Sequence, residues 1–76
     1  MALVTTLVRV PLKSQSGHSV VDCTYDIHTD DQGRRFLQLD TYGSSKRKIK
    51  GKKSQSIRFD MSGIEQLKRI IAENDL

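Results

Sequence analysis

The pattern of apolar and polar residues predicts four strands along this chain, three of them by alternation, and a helical period follows them. Residues 3–10 are apolar and largely β-branched until Pro11, which is typical of a strand that ends at a residue without an N–H donor. Residues 20–28, 34–42 and 54–60 alternate with a period of two, which indicates strands with one buried face. The sequence therefore predicts a sheet built from these four segments.

The same alternation assigns the side chains of the strands to two faces. One face is apolar and includes Cys23, which we interpret as a buried structural thiol because no base stands beside it in the pattern. Phe36 and Tyr42 lie on the opposite face of the third strand, together with Gln38 and Asp40. The residues expected on the buried face are Val21, Cys23, Tyr25, Ile27, Leu37, Leu39, Ile57 and Phe59.

Polar connections separate the strands, and one helix follows the last of them. Residues 29–33 have the composition of a hairpin turn, whereas residues 43–53 lose the alternation and predict a mobile loop or an extended hairpin tip. Ser62 and Glu65 have the spacing of a capping box at the start of a helix. The predicted fold is α+β, with a four-stranded antiparallel sheet followed by one C-terminal helix (ββββα).

The composition bounds the size and the class of the protein. With 76 residues, 36% of them apolar, residues 1–76 make one small domain, whose thin core supplies only about 3–5 kcal/mol. A single cysteine excludes an intrachain disulfide, so we expect a homodimer to complete the core. No segment has the length of a transmembrane helix or the pattern of a signal peptide. We therefore expect a cytoplasmic protein, nucleoid-associated in a bacterium or phage and nuclear in a eukaryote.

Catalytic chemistry is not predicted. Asp22, Asp26 and His28 line one strand face and resemble the carboxylates with which a nuclease holds a divalent ion. Alternation already explains a polar outer face, and no lysine or glutamate follows at nuclease-like spacing. Two histidines and one cysteine also argue against structural zinc. We therefore predict no enzyme activity, no metal site and no cofactor.

Positive charge is concentrated in one segment. The chain has 13 basic and 9 acidic residues, a formal charge of +4. Residues 43–58 hold seven of the basic residues and no acidic one, so the remaining sixty residues carry six basic and nine acidic groups, a charge of −3. Such a cluster between two strands favours a polyanionic partner, because phosphate contacts release counterions. A solvated loop, a nuclear-localisation signal and a membrane-surface role remain open.

The aromatic residues on the polar strand face give a second indication. Phe36 and Tyr42 either pack against a partner subunit and the sheet edge or offer their rings to bases. Single-stranded nucleic acid is held by a basic groove with aromatic rings under the bases. The predicted helix carries only Lys68 and Arg69 as cations, against Glu65 and Glu73 and, just beyond its end, Asp75, unlike a helix that reads duplex DNA. Single strands are therefore the favoured form.

Four short motifs in the C-terminal half carry a resemblance to a known family. They are residues 36–42 (FLQLDTY), 51–53 (GKK), 56–59 (SIRF) and 64–68 (IEQLK). Together with the order of elements, residues 34–72 resemble the single-stranded DNA-binding domain of the positive cofactor four family of transcriptional coactivators, although Ile64 stands where that family has tryptophan. The resemblance implies a homodimer with strand faces that form grooves for single-stranded DNA.

These observations together predict a non-catalytic protein that binds single-stranded nucleic acid, DNA rather than RNA, in transcription or DNA metabolism. The alternative is a protein-interaction module or small regulator, such as a phage-borne inhibitor, whose basic loop docks on an acidic protein surface. The cations would neutralise phosphates, and the two rings would stack on bases. The predicted nucleic-acid-binding residues are Arg34, Arg35, Phe36, Tyr42, Lys46, Arg47, Lys48, Lys50, Lys52, Lys53, Arg58 and Lys68.

Overall fold

Four strands followed by one helix make up the part of the chain that the computed structural model describes, which is residues 1–13, 17–18, 20–42 and 53–76. The elements are β1 (Ala2–Val4), β2 (Cys23–Thr29), β3 (Arg35–Tyr42), β4 (Lys53–Phe59) and α1 (Met61–Glu73). The order of the strands across the sheet is β1-β4-β3-β2. The predicted ββββα order and the α+β class are confirmed, and β2, β3 and β4 begin within three residues of the predicted starts.

A tight turn joins β2 and β3 into an antiparallel hairpin, in which Ile27 pairs with Leu37. The Gly33 N–H donates to the Asp30 carbonyl over 3.0 Å, and Gly33 adopts a φ of 81°. Glycine takes this conformation without the steric cost of a Cβ. The Asp30 carboxylate accepts a hydrogen bond from the Arg34 amide over 2.9 Å, which closes the turn from the other side. The predicted hairpin turn is therefore confirmed.

The first strand is shorter than predicted, and it runs parallel to its neighbour. Only Ala2–Val4 pair with β4, and they do so in parallel, so the sheet is mixed and the prediction of a fully antiparallel sheet is wrong. The predicted strand over residues 3–10 stops early because a helix side chain binds the backbone that follows. The Leu7 N–H donates to Gln66 Oε1 over 2.9 Å, and Gln66 Nε2 donates to the Thr5 carbonyl over 2.9 Å.

The start of α1 is capped by Asp60, and the predicted capping box of Ser62 and Glu65 is wrong. The Asp60 carboxylate accepts from the Gly63 N–H over 2.7 Å, and the helix begins at the next residue. Ser62 already lies inside the first turn, where its hydroxyl donates to the Thr5 carbonyl over 3.2 Å. A cap must precede the amide it binds by two or three residues, and the residue in that place is Asp60, directly after β4.

One face of the sheet is covered by α1, but only in part. The helix packs mainly on β3 and β4, and Phe59, 8% exposed, is the only buried apolar side chain among the described residues. On β2, Tyr25 is 73% exposed and Ile27 is 47% exposed. Cys23 is exposed as well, so its predicted burial is wrong. Alternation identified the apolar face of β2, but the helix does not reach far enough across the sheet to cover it.

Gly63 lies where α1 meets the sheet, and its replacement by alanine should destabilise the fold. A Cβ at this position would come within 2.7 Å of the Val4 carbonyl oxygen and 3.4 Å of the Phe59 ring. In an exposed helix the same change stabilises by about 1 kcal/mol, but here the backbone contact reverses the sign. We expect Gly63→Ala to lower the free energy of unfolding by about 1–3 kcal/mol, as measured by urea denaturation.

The matched control for this prediction is Arg69→Ala, an exposed position of the same helix. It should change the free energy of unfolding by no more than about 0.5 kcal/mol. A Gly63→Ala protein as stable as the control would contradict the close contact between α1 and β1.

Candidate functional site

The sheet face turned away from α1 carries a set of polar and aromatic side chains. Strand alternation puts Leu37 and Phe59 on the side of the helix, so their immediate neighbours along β3 and β4 point to the opposite side. Pairing of the strands then brings those neighbours together, as with Gln38, which lies opposite Arg58. We call this surface the polar face; it is formed by Thr24, Asp26, His28, Phe36, Gln38, Asp40, Tyr42, Ser56 and Arg58.

An arginine is held over an aromatic ring near one end of the polar face. Cζ of Arg58 lies over the ring of Phe36, 5.6 Å from its centroid, which is within the range of cation–π attraction. Nε and one terminal nitrogen of Arg58 donate to Gln38 Oε1 over 3.1 and 2.5 Å. A guanidinium has five N–H donors, so three of them have no partner among the described residues. The group is therefore fixed in place while part of its hydrogen-bonding capacity remains open.

Two further rings extend the polar face beyond Phe36. His28 in β2 lies opposite Phe36, with ring centroids 6.2 Å apart and 29° between the ring planes. At the other end of β3, the Tyr42 hydroxyl is 3.4 Å from the Thr24 hydroxyl. Phe36 and Tyr42 are separated by about 20 Å along the strand. The polar face therefore has rings at both ends and hydrogen-bonding groups between them.

Asp40 is the buried centre of the polar face. The residue is 7% exposed, and its carboxylate accepts hydrogen bonds from the Ser56 hydroxyl over 2.6 Å and from Gln38 Nε2 over 3.1 Å. Nζ of Lys53 lies 3.3 Å from the other carboxylate oxygen. The Ser56 hydrogen bond is the main cause that lowers the pKa of Asp40; Gln38 and Lys53 lower it further, and desolvation opposes them. The carboxylate is thus ionised and satisfied from within the protein.

A chain of side chains links the two described cations of the site through this carboxylate. Because Asp40 accepts from the amide nitrogen of Gln38, the carbonyl oxygen of Gln38 is turned towards Arg58. The same carboxylate holds the ammonium group of Lys53 at the other side. Asp40 therefore orients both cations, one directly and one through Gln38.

The structure describes seven of the twelve predicted nucleic-acid-binding residues, and it brings four of them together. Phe36, Tyr42 and Arg58 belong to the polar face, and the ammonium group of Lys53 reaches it. Arg34 lies in the turn between β2 and β3, where its Nε is 2.7 Å from the Asp30 carboxylate. The predicted residues that lie outside the described part of the chain are Lys46, Arg47, Lys48, Lys50 and Lys52.

Arg35 and Lys68 lie on the other side of the sheet. Both line a cleft of about 280 Å³ between α1 and the sheet, together with Ile27, Phe36 and Leu37. Nζ of Lys68 is 3.6 Å from Glu65 Oε2 on the same helix. The structure therefore does not gather these two cations with the polar face.

Contacts between strands are the part of the site that sequence reasoning missed. His28 was expected only on an outer polar face, whereas it stacks beside Phe36. A signal exists in the sequence, because a turn centred near residue 32 pairs residue 28 with residue 36. The burial of Asp40 depends mostly on another strand, since Ser56 and Lys53 come from β4 and only Gln38 belongs to its own strand.

The described part of the chain holds neither a metal-binding cluster nor a membrane-spanning helix. No group of three or more His, Cys, Asp or Glu side chains there is arranged to hold a metal ion. The one described helix is too short and too polar to cross a membrane.

Comparison with known proteins leaves the family open. The chain matches no family model, no curated protein and no solved structure. The resemblance of residues 34–72 to the positive cofactor four family therefore stays a prediction. What the protein does is inferred from the geometry and charge of the polar face.

Replacing the carboxylate of Asp40 should make the free energy of unfolding depend less on pH in the acid range. Because the pKa of Asp40 is lowered in the folded chain, the unfolded chain binds more protons in acid. The stability that this carboxylate contributes is therefore lost as the pH falls from the ordinary aspartate value of about 3.9 through the lower pKa of the folded chain. Above the ordinary value the contribution is fully present. Asn at this position cannot titrate, so the free energy of unfolding of Asp40→Asn should decrease less in acid than that of the wild type. The measurement is urea unfolding at a series of pH values from neutral down to about pH 2.

Asp30 provides the matched comparison, because the Arg34 amide lowers its pKa as well and desolvation opposes that effect. Asp30→Asn should remove its own part of the acid dependence, and the double variant should show the flattest profile. Parallel profiles for Asp40→Asn and the wild type would contradict the hydrogen-bonded, ionised carboxylate described above.

Proposed function

We propose that this protein binds single-stranded nucleic acid on the polar face without catalysing a reaction. The observation that carries the proposal is the arrangement of Arg58 over Phe36, braced by Gln38, on the sheet face opposite the helix. The resemblance of residues 34–72 favours DNA over RNA and a role in transcription or DNA metabolism.

The geometry of this arrangement suits an unstacked base with its phosphate. Bases of single strands stack on aromatic rings and on guanidinium planes, and β-sheet faces are a common platform for both. Arg58 keeps three N–H donors open to a phosphate oxygen while it rests on Phe36. The ring of His28, 6.2 Å from Phe36, widens the platform towards β2.

The charge of the segment that connects β3 to β4 favours a polyanionic ligand for the polar face. Residues 43–58 carry seven cations and no acid, and Lys53 from this segment is fixed beside the polar face by Asp40. The Asp40 carboxylate is buried among its partners, so it does not present an open negative charge to a phosphate. The cost of bringing a phosphate chain across it is therefore small.

Duplex DNA is a poorer ligand for this arrangement. A duplex is most often read by a helix that enters the major groove. Here α1 packs against the sheet and carries two acidic and two basic residues, Glu65, Glu73, Lys68 and Arg69. The ring and guanidinium of the polar face suit unstacked bases, which a single strand offers and a duplex does not.

Salt should weaken binding strongly. Each neutralised phosphate of a single strand contributes about −0.7 to the slope of log K against log salt, so contact with about six phosphates predicts a slope near −4. The measurement is fluorescence anisotropy of a labelled single-stranded oligonucleotide over a series of salt concentrations, with a duplex of equal length for comparison. An affinity that does not depend on salt would contradict the proposal.

Variants of the polar face should weaken binding while a matched change on α1 should not. Phe36→Leu keeps an apolar side chain but removes the ring, and it should cost about tenfold or more in affinity. Arg58→Gln should also weaken binding, because it removes both the phosphate contact and the guanidinium plane. The control is Arg69→Gln, which makes the same change of charge on the helix.

Two results would speak for a different partner. Equal losses in Arg58→Gln and Arg69→Gln would mean that only net charge matters. Equal affinity for heparin and for the oligonucleotide would mean the same, and it would favour docking of the basic segment on an acidic protein. A base-stacking site should instead prefer the oligonucleotide, and Phe36→Leu should abolish that preference.

A further inference from the structure

The segment after β1 exposes a row of apolar side chains that the fold leaves bare. Residues 5–13, here called the N-terminal arm, do not form a strand. Their apolar side chains Val8, Val10 and Leu12 are 77%, 73% and 81% exposed. The three side chains recur at every second residue, which is the spacing of side chains on one face of a strand. The arm therefore has the pattern of a strand without a sheet to join among the described residues.

A matching strand edge is open at the far side of the sheet. β2 is the last strand in the order β1-β4-β3-β2, and among the described residues its outer edge pairs with nothing. Its apolar side chains Tyr25 and Ile27 are exposed on the helix side. The unpaired N–H and C=O groups of an edge strand can pair with another strand.

Charge and apolar pattern of the arm and of β2 match on both faces at once. In the arm, Arg9 and Lys13 alternate with the apolar residues, and residues 1–21 contain no acid. In β2 and its approach, Asp22 and Asp26 alternate with the apolar side chains, and residues 22–33 contain no lysine or arginine. If the arm pairs with β2 so that their apolar residues share one face, the cations of the arm lie beside the carboxylates of β2 and its approach on the other face.

We propose that the arm of one copy of this chain pairs along the outer edge of β2 of a second copy, and that the exchange is reciprocal. Burial of an aliphatic side chain removes on the order of 100 Å² of apolar surface, so the exposed side chains of the arm and of β2 supply several hundred Å² per copy. This is the same order as the roughly 800 Å² that each partner buries in a stable complex. The proposal does not rest on nucleic-acid binding.

The second copy, and not the same chain, is the occupant that the anchoring of the arm favours. Leu7 is tied to Gln66 on α1, and the chain reaches that point directly from β1. β2 lies three strand spacings from β1, about 14 Å across the sheet, so Val8 starts far from the edge of its own copy. Pro11 also fits an arm that becomes the new outer strand, because its missing N–H stops further growth of the sheet.

Exchange of charges between the arm and β2 provides the test. The first variant is Arg9→Asp with Lys13→Asp, which makes the arm acidic; the second is Asp22→Lys with Asp26→Lys, which makes the edge basic. Light scattering without nucleic acid should give twice the mass of one chain for the wild type. The dissociation constant of each variant's own dimer should be about tenfold or more above that of the wild type, because like charges then face each other across the arm contact. An equimolar mixture should recover the dimer, since both arm contacts are then complementary.

The matched control reverses the same number of charges on the helix, as Lys68→Asp with Arg69→Asp, and it should leave the dimer intact. A wild type with the mass of one chain at all concentrations would overturn the proposal, and so would variants that dimerise like the wild type. Variants that stay monomeric when mixed would overturn it as well, because they would show that the arm does not bind between copies. Circular dichroism of each variant establishes that it is folded.

Discussion

A helix about 10 Å in diameter has to cover a sheet of four strands that is about 19 Å wide, and this mismatch decides the rest of the structure. The helix packs mainly on β3 and β4, beside Phe59, and Gln66 ties the segment after β1 to it through Thr5 and Leu7. β2 lies beyond this contact, so Tyr25 stays exposed although its strand alternates correctly. The small core therefore follows from geometry as much as from the low apolar content of the chain.

The same mismatch locates the candidate site on the best-supported strands. Phe36 and Arg58 project from β3 and β4, which carry the helix on their other side, so the platform rests on the most packed part of the fold. Asp40 stiffens it further by holding Lys53 and, through Gln38, Arg58. Preorganised side chains lose little conformational freedom on binding, which is the main advantage of placing a site on paired strands.

Much of the fold could be predicted from local patterns, and the failures have a common cause. Alternation and turn composition predicted β2, β3, β4 and the hairpin turn, because these depend on neighbours along the chain. The first strand and the helix cap were mispredicted because Gln66 and Asp60, from other elements, took the hydrogen bonds involved. The same holds for the candidate site. Phe36 and the cations could be predicted from the sequence, whereas the burial of Asp40 depends on the register of β3 against β4.

The distribution of charge connects the two proposals. The cations of residues 43–58 favour a phosphate chain on the β3 and β4 side of the polar face, while Asp22 and Asp26 line the β2 edge and repel it. An arm bound along that edge would bring Arg9 and Lys13 to these carboxylates and remove much of the repulsion. Nucleic acid would then bind the dimer more tightly than the monomer, and linkage requires that nucleic acid stabilise the dimer by the same factor.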